Sequence, residues 1–318
     1  MIEKGPLVEK LIDILVQFVP SLKNQAQSFS DDYFAQRALL RGLMNMHRVQ
    51  NKLPPEYFTM QDQLLQAELS EKSLVQTEGL LKAKINSNMS LHQGDITTLK
   101  VDAIVNSATP SLLGCFQAGH NCIDNCIHSA AGLQLRYECY KILGGGEARE
   151  GTATITHGFN LPCKFVIHVV GPKVGFNISP REKATLASCY TEALKVARKN
   201  GVKSLAFCSI STDSLGFPNS VAARIAVNTV NDDLKAHGND LKIVFSVESD
   251  RDAKAYKIEF DPQPEKDSAE LHPFFNINLI KISLFHIYIL HKLSVINLTY
   301  NIVLFYKTTK VHFNYTIF

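Results

Sequence analysis

Three soft-donor side chains fall close together in the stretch GCFQAGHNCIDNCIHSAAG, residues 114–132: Cys115, His120 and Cys122. Thiolate and imidazole are the donors zinc prefers. Structural zinc sites close with four protein ligands, whereas catalytic sites keep three and leave a position open. The candidate fourth ligand is Cys126. Ile123, Ile127, Ala130 and Ala131 recur at helical spacing, which predicts one helix over 122–137 with a buried stripe. Cys126 stands one position off that stripe and reaches a metal only if the helix begins late. The spacing therefore reads as three ligands and an open position. The competing reading is of small buried cysteines around a packed histidine. Asp124 opens the same helix, where a carboxylate is favoured by the helix dipole alone. His128, one turn on, reads as packing against a neighbouring sheet.

The elements that must hold these residues have two characters. Residues 1–80 read as a helical extension. Leu11, Ile14, Leu15 and Phe18 form one amphipathic stripe, and Leu39, Leu40, Leu43 and Met44 another. Pro54 and Pro55 interrupt the pattern, which resumes from Tyr57. Over residues 90–260 short β-branched runs alternate with helical patterns. Strands are predicted at 101–108, 152–156, 164–170, 203–210 and 242–247, with further helices at 183–199 and 219–236. Several runs are apolar throughout and suit a sheet covered on both faces. The alternation implies a three-layer α/β/α domain.

The chain has 318 residues, 45% hydrophobic and 20% charged, as expected of one or two soluble domains. A net charge of +3 gives no ground for expecting nucleic acid. Charged residues interrupt the N-terminal apolar run, so no signal-peptide core is expected. Seven cysteines without such a signal predict reduced thiols and a cytoplasmic or nuclear location. From 263 the composition changes: after Glu270 there is no Asp, Glu, Gly or Ala. This tail reads as unstructured or as non-native translation. Lys281 and Lys292 leave uncharged runs too short to span a bilayer, so no membrane partner is expected.

Four stretches, taken together and in order, resemble a macrodomain, the ADP-ribose-binding α/β module with a mixed central sheet. They are GDITTLKVDAIVNSA (94–108), DNCIHSAAG (124–132), GTATITHGFNLPCKFVIHVVGP (151–172) and ISTDSLGFPNSVAARIA (210–226). The GC-x4-H-x-C insertion and the helical extension are similar to the zinc-dependent branch, which hydrolyses ADP-ribose from protein side chains. The resemblance implies zinc on Cys115, His120 and Cys122, and catalysis by Asp124 and Cys122. It implies ligand contacts at Asp95, Ile96, Asn106, Thr109, Cys115, Ile123, Ser211, Thr212, Asp213, Gly216 and Phe217. Asp95 would accept from the adenine amino group beside the Ile96 backbone; read by itself, it is a turn residue. Asn106 would pin the loop or touch the distal ribose. The 211–217 turn and the following helix N-terminus would cradle the diphosphate. ADP-ribose, free or on a protein, is the implied partner of a monomeric chain.

The sequence departs from that pattern at four places. Thr109 replaces the family's usual asparagine, and Asp213 its glycine. Leu215 and Glu248 stand where aromatic residues are common. A carboxylate about 5 Å from the diphosphate repels it by about 3 kcal/mol at an effective dielectric of about 20. Three functions fit these residues: a zinc-dependent hydrolase of mono-ADP-ribosylated protein, a non-catalytic ADP-ribose-binding module, and a degenerate macrodomain without ligand. The intact donor set and Asp124 favour the hydrolase.

Overall fold

The structure is a computed structural model and describes residues 3–19, 32–175, 177–212 and 215–262. The C-terminal tail discussed above lies outside the described residues. Three helices come first: α1 (Lys4–Val16), α2 (Tyr33–Met46) and α3 (Pro55–Ser70). Asp32 caps α2 by accepting from the Ala35 N–H, and Pro55 opens α3, where a missing N–H costs nothing. Val8, Leu11 and Leu15 of α1 meet Leu40 and Leu43 of α2 and Leu64 of α3 in a small core of their own. Each such side chain contributes about 2 kcal/mol on burial.

A seven-stranded sheet follows. Its strands are β1 (Leu81–Lys82), β2 (Met89–Gln93), β3 (Ala103–Ser107), β4 (Ala153–His157), β5 (Phe165–Val169), β6 (Ser204–Cys208) and β7 (Lys242–Val247). Their spatial order is β1-β2-β7-β6-β3-β5-β4. The five central strands run parallel, and β1 and β4 pair antiparallel at the two edges, so the sheet is mixed. Almost every residue of β3, β6 and β7 is buried, without alternation, because helices cover both faces. Those helices are α4 (Ile123–Ala131), α5 (Leu133–Leu143), α6 (Pro180–Lys199), α7 (Asn219–Ala236) and α8 (Asp250–Phe260).

The predicted single helix over 122–137 is two helices. Gly132, at φ +95°, turns the chain between α4 and α5. Only glycine takes that conformation cheaply. A Cβ there would also sit 2.4 Å from Gln61 Nε2 of α3. The sequence reading also lacked β1, β2 and α8, which carry too many polar residues to show a period. Among the described residues no helix is long and apolar enough to cross a membrane.

Arg136 of α5 ties the three N-terminal helices to the sheet domain. It is 1% exposed, and Nη1 donates to the carbonyls of Met44, Asn45 and His47 at 2.9, 3.1 and 2.5 Å. These carbonyls sit at the end of α2; that of Met44 also accepts from the His47 N–H at 3.3 Å, while no helical N–H serves the other two. Burial lowers the Arg136 guanidinium to about 10, so it stays charged at neutral pH. Arg136→Met strands the buried Asn45 and His47 carbonyls and is expected to cost about 3–5 kcal/mol by urea unfolding.

His47 sits beside it. Its Nε2 donates to the Tyr137 hydroxyl at 2.9 Å, and that hydroxyl donates to the Asn51 carbonyl. Burial, then the Arg136 charge, lowers His47 from 6.5 to about 4. As pH falls the unfolded chain takes up this proton first. The contribution of His47 is therefore intact above pH 6.5 and is lost down to about pH 4. Unfolding free energy should fall through that window by about 1.4 kcal/mol per pH unit from this residue. Urea titrations at several pH values, with His47→Gln giving the shallower slope, check it.

Candidate functional site

The loop between β3 and α4 brings the three sequence-predicted donors together. Cys115 Sγ lies 3.5 Å from His120 Nδ1, and the donor atoms of Cys115, His120 and Cys122 all fall within 4.8 Å of one another. Cys122 is the N-cap residue of α4, but its side chain makes no capping bond, so its sulfur is left to the loop. Burial pushes its thiol up to about 12. Cys126 is not among this group. Its sulfur accepts instead from Arg41 Nη2 at 3.7 Å.

Asp124, 4% exposed, stands just inside α4. Its Oδ1 accepts from Asn106 Nδ2 at 2.7 Å. The second Asn106 amide proton points to His168 Nδ1 at 3.2 Å. That fixes His168 as the Nε2–H tautomer, which donates to Thr156 Oγ1 at 3.0 Å. Burial raises the Asp124 carboxyl to about 6, against the Asn106 amide, the Arg136 charge and the Thr109 N–H. Burial holds His168 at about 3 and His128 well below the ordinary histidine value, so both are neutral. His128 packs as the sequence suggested and also lies 3.5 Å from Asp124 Oδ1. It sits directly under Gly114, where a Cβ would come within 2.9 Å of its ring.

These residues open onto a cleft of about 660 Å³. Thr109, Cys115, His120, Cys122, Ile123 and Asp124 line one side, and Ser211, Thr212 and Leu215 the other. Phe116, Glu150, Lys173 and Ser209 also line it, and no spacing signal in the sequence marked them. The 211–217 turn is closed by the Phe217 N–H on the Ser211 carbonyl at 2.8 Å. Ser211 has φ +65° and Gly216 φ +79°. A serine in the left-handed region is uncommon and is held there by its surroundings. Asp213 lies outside the described residues.

Five of the sequence-predicted contacts among the described residues do not line this cleft, Gly216 being one. Asn106 and Phe217 are buried beneath it, at 0% and 1% exposure. Ile96 is buried too, and Asp95 caps the short 3-10 turn Ile96–Thr98, with Oδ1 accepting from the Thr97 N–H and hydroxyl. Its Oδ2 lies 3.7 Å from Lys72 Nζ. Asp95 and Glu248 line a second cleft of about 470 Å³, together with Cys126, Ser129 and Ala130 of α4.

The Macro domain family matches residues 105–226. A protein-ADP-ribose hydrolase of Treponema medium is 45% identical over 230 residues, 71% of this chain and 88% of that protein. The chain belongs to this macrodomain family. The protein-ADP-ribose hydrolase of Staphylococcus aureus strain MSSA476 is 43% identical over 71% of this chain and 85% of its own length. The Oceanobacillus iheyensis macrodomain solved with ADP aligns at a TM-score of 0.50 and 37% identity, over 56% of this chain and 93% of that one. The Trypanosoma brucei macrodomain in complex with ADP-ribose aligns at 0.53 and 28% identity, over 66% and 91%.

In this macrodomain the Ser211 turn depends on Gly171. A Cβ at residue 171 would stand 2.1 Å from Ser211 Oγ and 2.9 Å from Ile210 Cγ2. Gly171→Ala should displace the turn and cost about 1–3 kcal/mol by overpacking. Thermal unfolding checks the cost, and amide hydrogen exchange at Phe217 checks the turn.

Proposed function

We propose that this macrodomain is a zinc-dependent hydrolase that removes mono-ADP-ribose from protein side chains. One observation carries the reading: a sulfur–nitrogen–sulfur donor set lines the same cleft as a buried aspartate two residues away. The donors fit the metal. Bonds of about 2.3 Å to sulfur and about 2.0 Å to nitrogen at tetrahedral angles put the two ligand atoms about 3.5 Å apart. Cys115 Sγ and His120 Nδ1 are 3.5 Å apart. Cys115, His120 and Cys122 would hold the ion, leaving an open position toward the cleft. When bound, zinc supplies Lewis-acid polarisation of a ribose hydroxyl or a water.

The remaining work falls to the chain's own groups. Cleavage of the bond from ribose C1″ to a side chain builds oxocarbenium character, which a nearby carboxylate stabilises. Asp124 is held for this by Asn106, and its free lone pairs orient a water or a ribose hydroxyl. The 211–217 turn and the α7 N-terminus offer N–H groups to the diphosphate. Asp95 Oδ2 is available to the adenine amino group once it exchanges its contact with Lys72. Thr109 spends its hydroxyl on Ser111 Oγ at 3.2 Å, so it replaces an asparagine amide poorly. The relatives named protein-ADP-ribose hydrolases support the reaction class.

The test uses the full chain, assayed for zinc, titrated with ADP-ribose and incubated with mono-ADP-ribosylated protein. We expect about one zinc per chain. Turnover should fall about 100-fold or more on chelation, in Cys122→Ala and in Asp124→Ala. Binding without turnover in a zinc-loaded chain would favour the binding module. A chain that neither binds ADP-ribose nor holds zinc would sink the hydrolase.

A further inference from the structure

The 114–122 loop is held from behind by α2, some eighty residues earlier in the chain. Arg41 and Asn45 stand four residues apart and share one face of that helix. Arg41 Nη1 donates to Asn121 Oδ1 at 2.9 Å, and Nη2 to the backbone carbonyl of His120 at 3.2 Å. Asn45, 1% exposed, accepts from the Gly119 N–H at 3.0 Å and donates to Ser129 Oγ of α4 at 3.1 Å. The residues on both sides of His120, and its own carbonyl, are thus fixed by two side chains of the N-terminal helices. Phe116, next to Cys115, lies between two guanidinium groups, Arg48 at 3.8 Å and Arg136 at 4.7 Å from the ring centroid.

We propose that Arg41 and Asn45 are positioning residues for the Cys115–His120–Cys122 donor set, so that the helical extension determines how well the loop holds its metal. The proposal rests on the metal reading given above. The loop cannot supply this order itself. It contains no helix or strand, and Gly114 and Gly119 both take left-handed backbone, at φ +79° and +67°. Partners one step removed from a metal fix the orientation of its ligands, and losing one typically lowers metal affinity about 10–100-fold. The contact to the His120 carbonyl acts on the backbone that carries the imidazole.

The experiment compares full-length parent, Arg41→Leu, Asn45→Ser and Arg37→Leu. Arg37 lies one turn before Arg41 on α2 and pairs with Glu68 of α3 at 2.6 and 2.9 Å. It serves as the control for docking of the helix. Zinc affinity is read by competition with a chromogenic chelator, and loop order by amide hydrogen exchange over 114–122. Arg41→Leu and Asn45→Ser should lower zinc affinity about 10–100-fold and speed exchange at Gly119, while Arg37→Leu changes neither. Should Arg41→Leu fail to fold, Arg41→Lys carries the test, because an ammonium keeps the charge but cannot reproduce the two-pronged contact. Affinity within twofold of the parent in the loop-facing variants, or an equal loss in Arg37→Leu, overturns the positioning role. A parent chain without zinc affinity removes the metal reading itself, and this proposal with it.

Discussion

A charged guanidinium sealed inside the protein governs how its parts are joined. Arg136 reaches from α5 into the end of α2, where three carbonyls compensate its lost hydration. A buried cation is tolerable only with such partners, since an unpaired one costs several kcal/mol. Its field then does two further things. After burial, which dominates at both residues, it adds to the lowering of His47, and with the Asn106 amide it draws the Asp124 carboxyl down. Its flat face supports Phe116, beside the first of the three donors. Helical extension, donor loop and aspartate thus depend on one side chain.

The site combines two kinds of rigidity. Beneath the cleft, Thr156, His168, Asn106 and Asp124 form a chain of hydrogen bonds whose members are all buried. Each proton has one sensible place, which leaves Asp124 a single orientation. Around the cleft, order comes from backbone that other residues hold in uncommon conformations. Ser211 keeps its positive φ because Gly171 yields the space its hydroxyl needs. Gly114 admits the ring of His128 for the same steric reason. Side-chain chemistry and backbone shape meet at residues 122–124, where the loop becomes helix.

The central sheet was legible because β3, β5, β6 and β7 are buried on both faces and therefore apolar almost throughout. The short edge strand Leu81–Lys82 and the mixed run MSLHQ of β2 offered no such contrast. The break at Gly132 was hidden because the apolar period continues on either side of it; its positive φ and the close approach of Gln61, which make a glycine necessary there, appear only in the fold. Cys115, His120, Cys122 and Asp124 were legible because their relation is local. Arg41 and Asn45 were not. Within AQRALLRGLMNMHR they look like any polar residues on an amphipathic helix, and their partners lie 74 to 85 positions away.

The carbonyl cradle of Arg136 bears on how this architecture can be inherited. A domain that travels between proteins as a cassette must leave nothing charged and unpaired at its boundary. Residues 105–226, which match the Macro domain family, include Arg136 but not the three carbonyls that receive it. Cut at that border, the module would lose the carbonyls to which Arg136 donates. In this chain the hydrogen-bonded unit therefore runs past the border of the family match and takes in the end of α2.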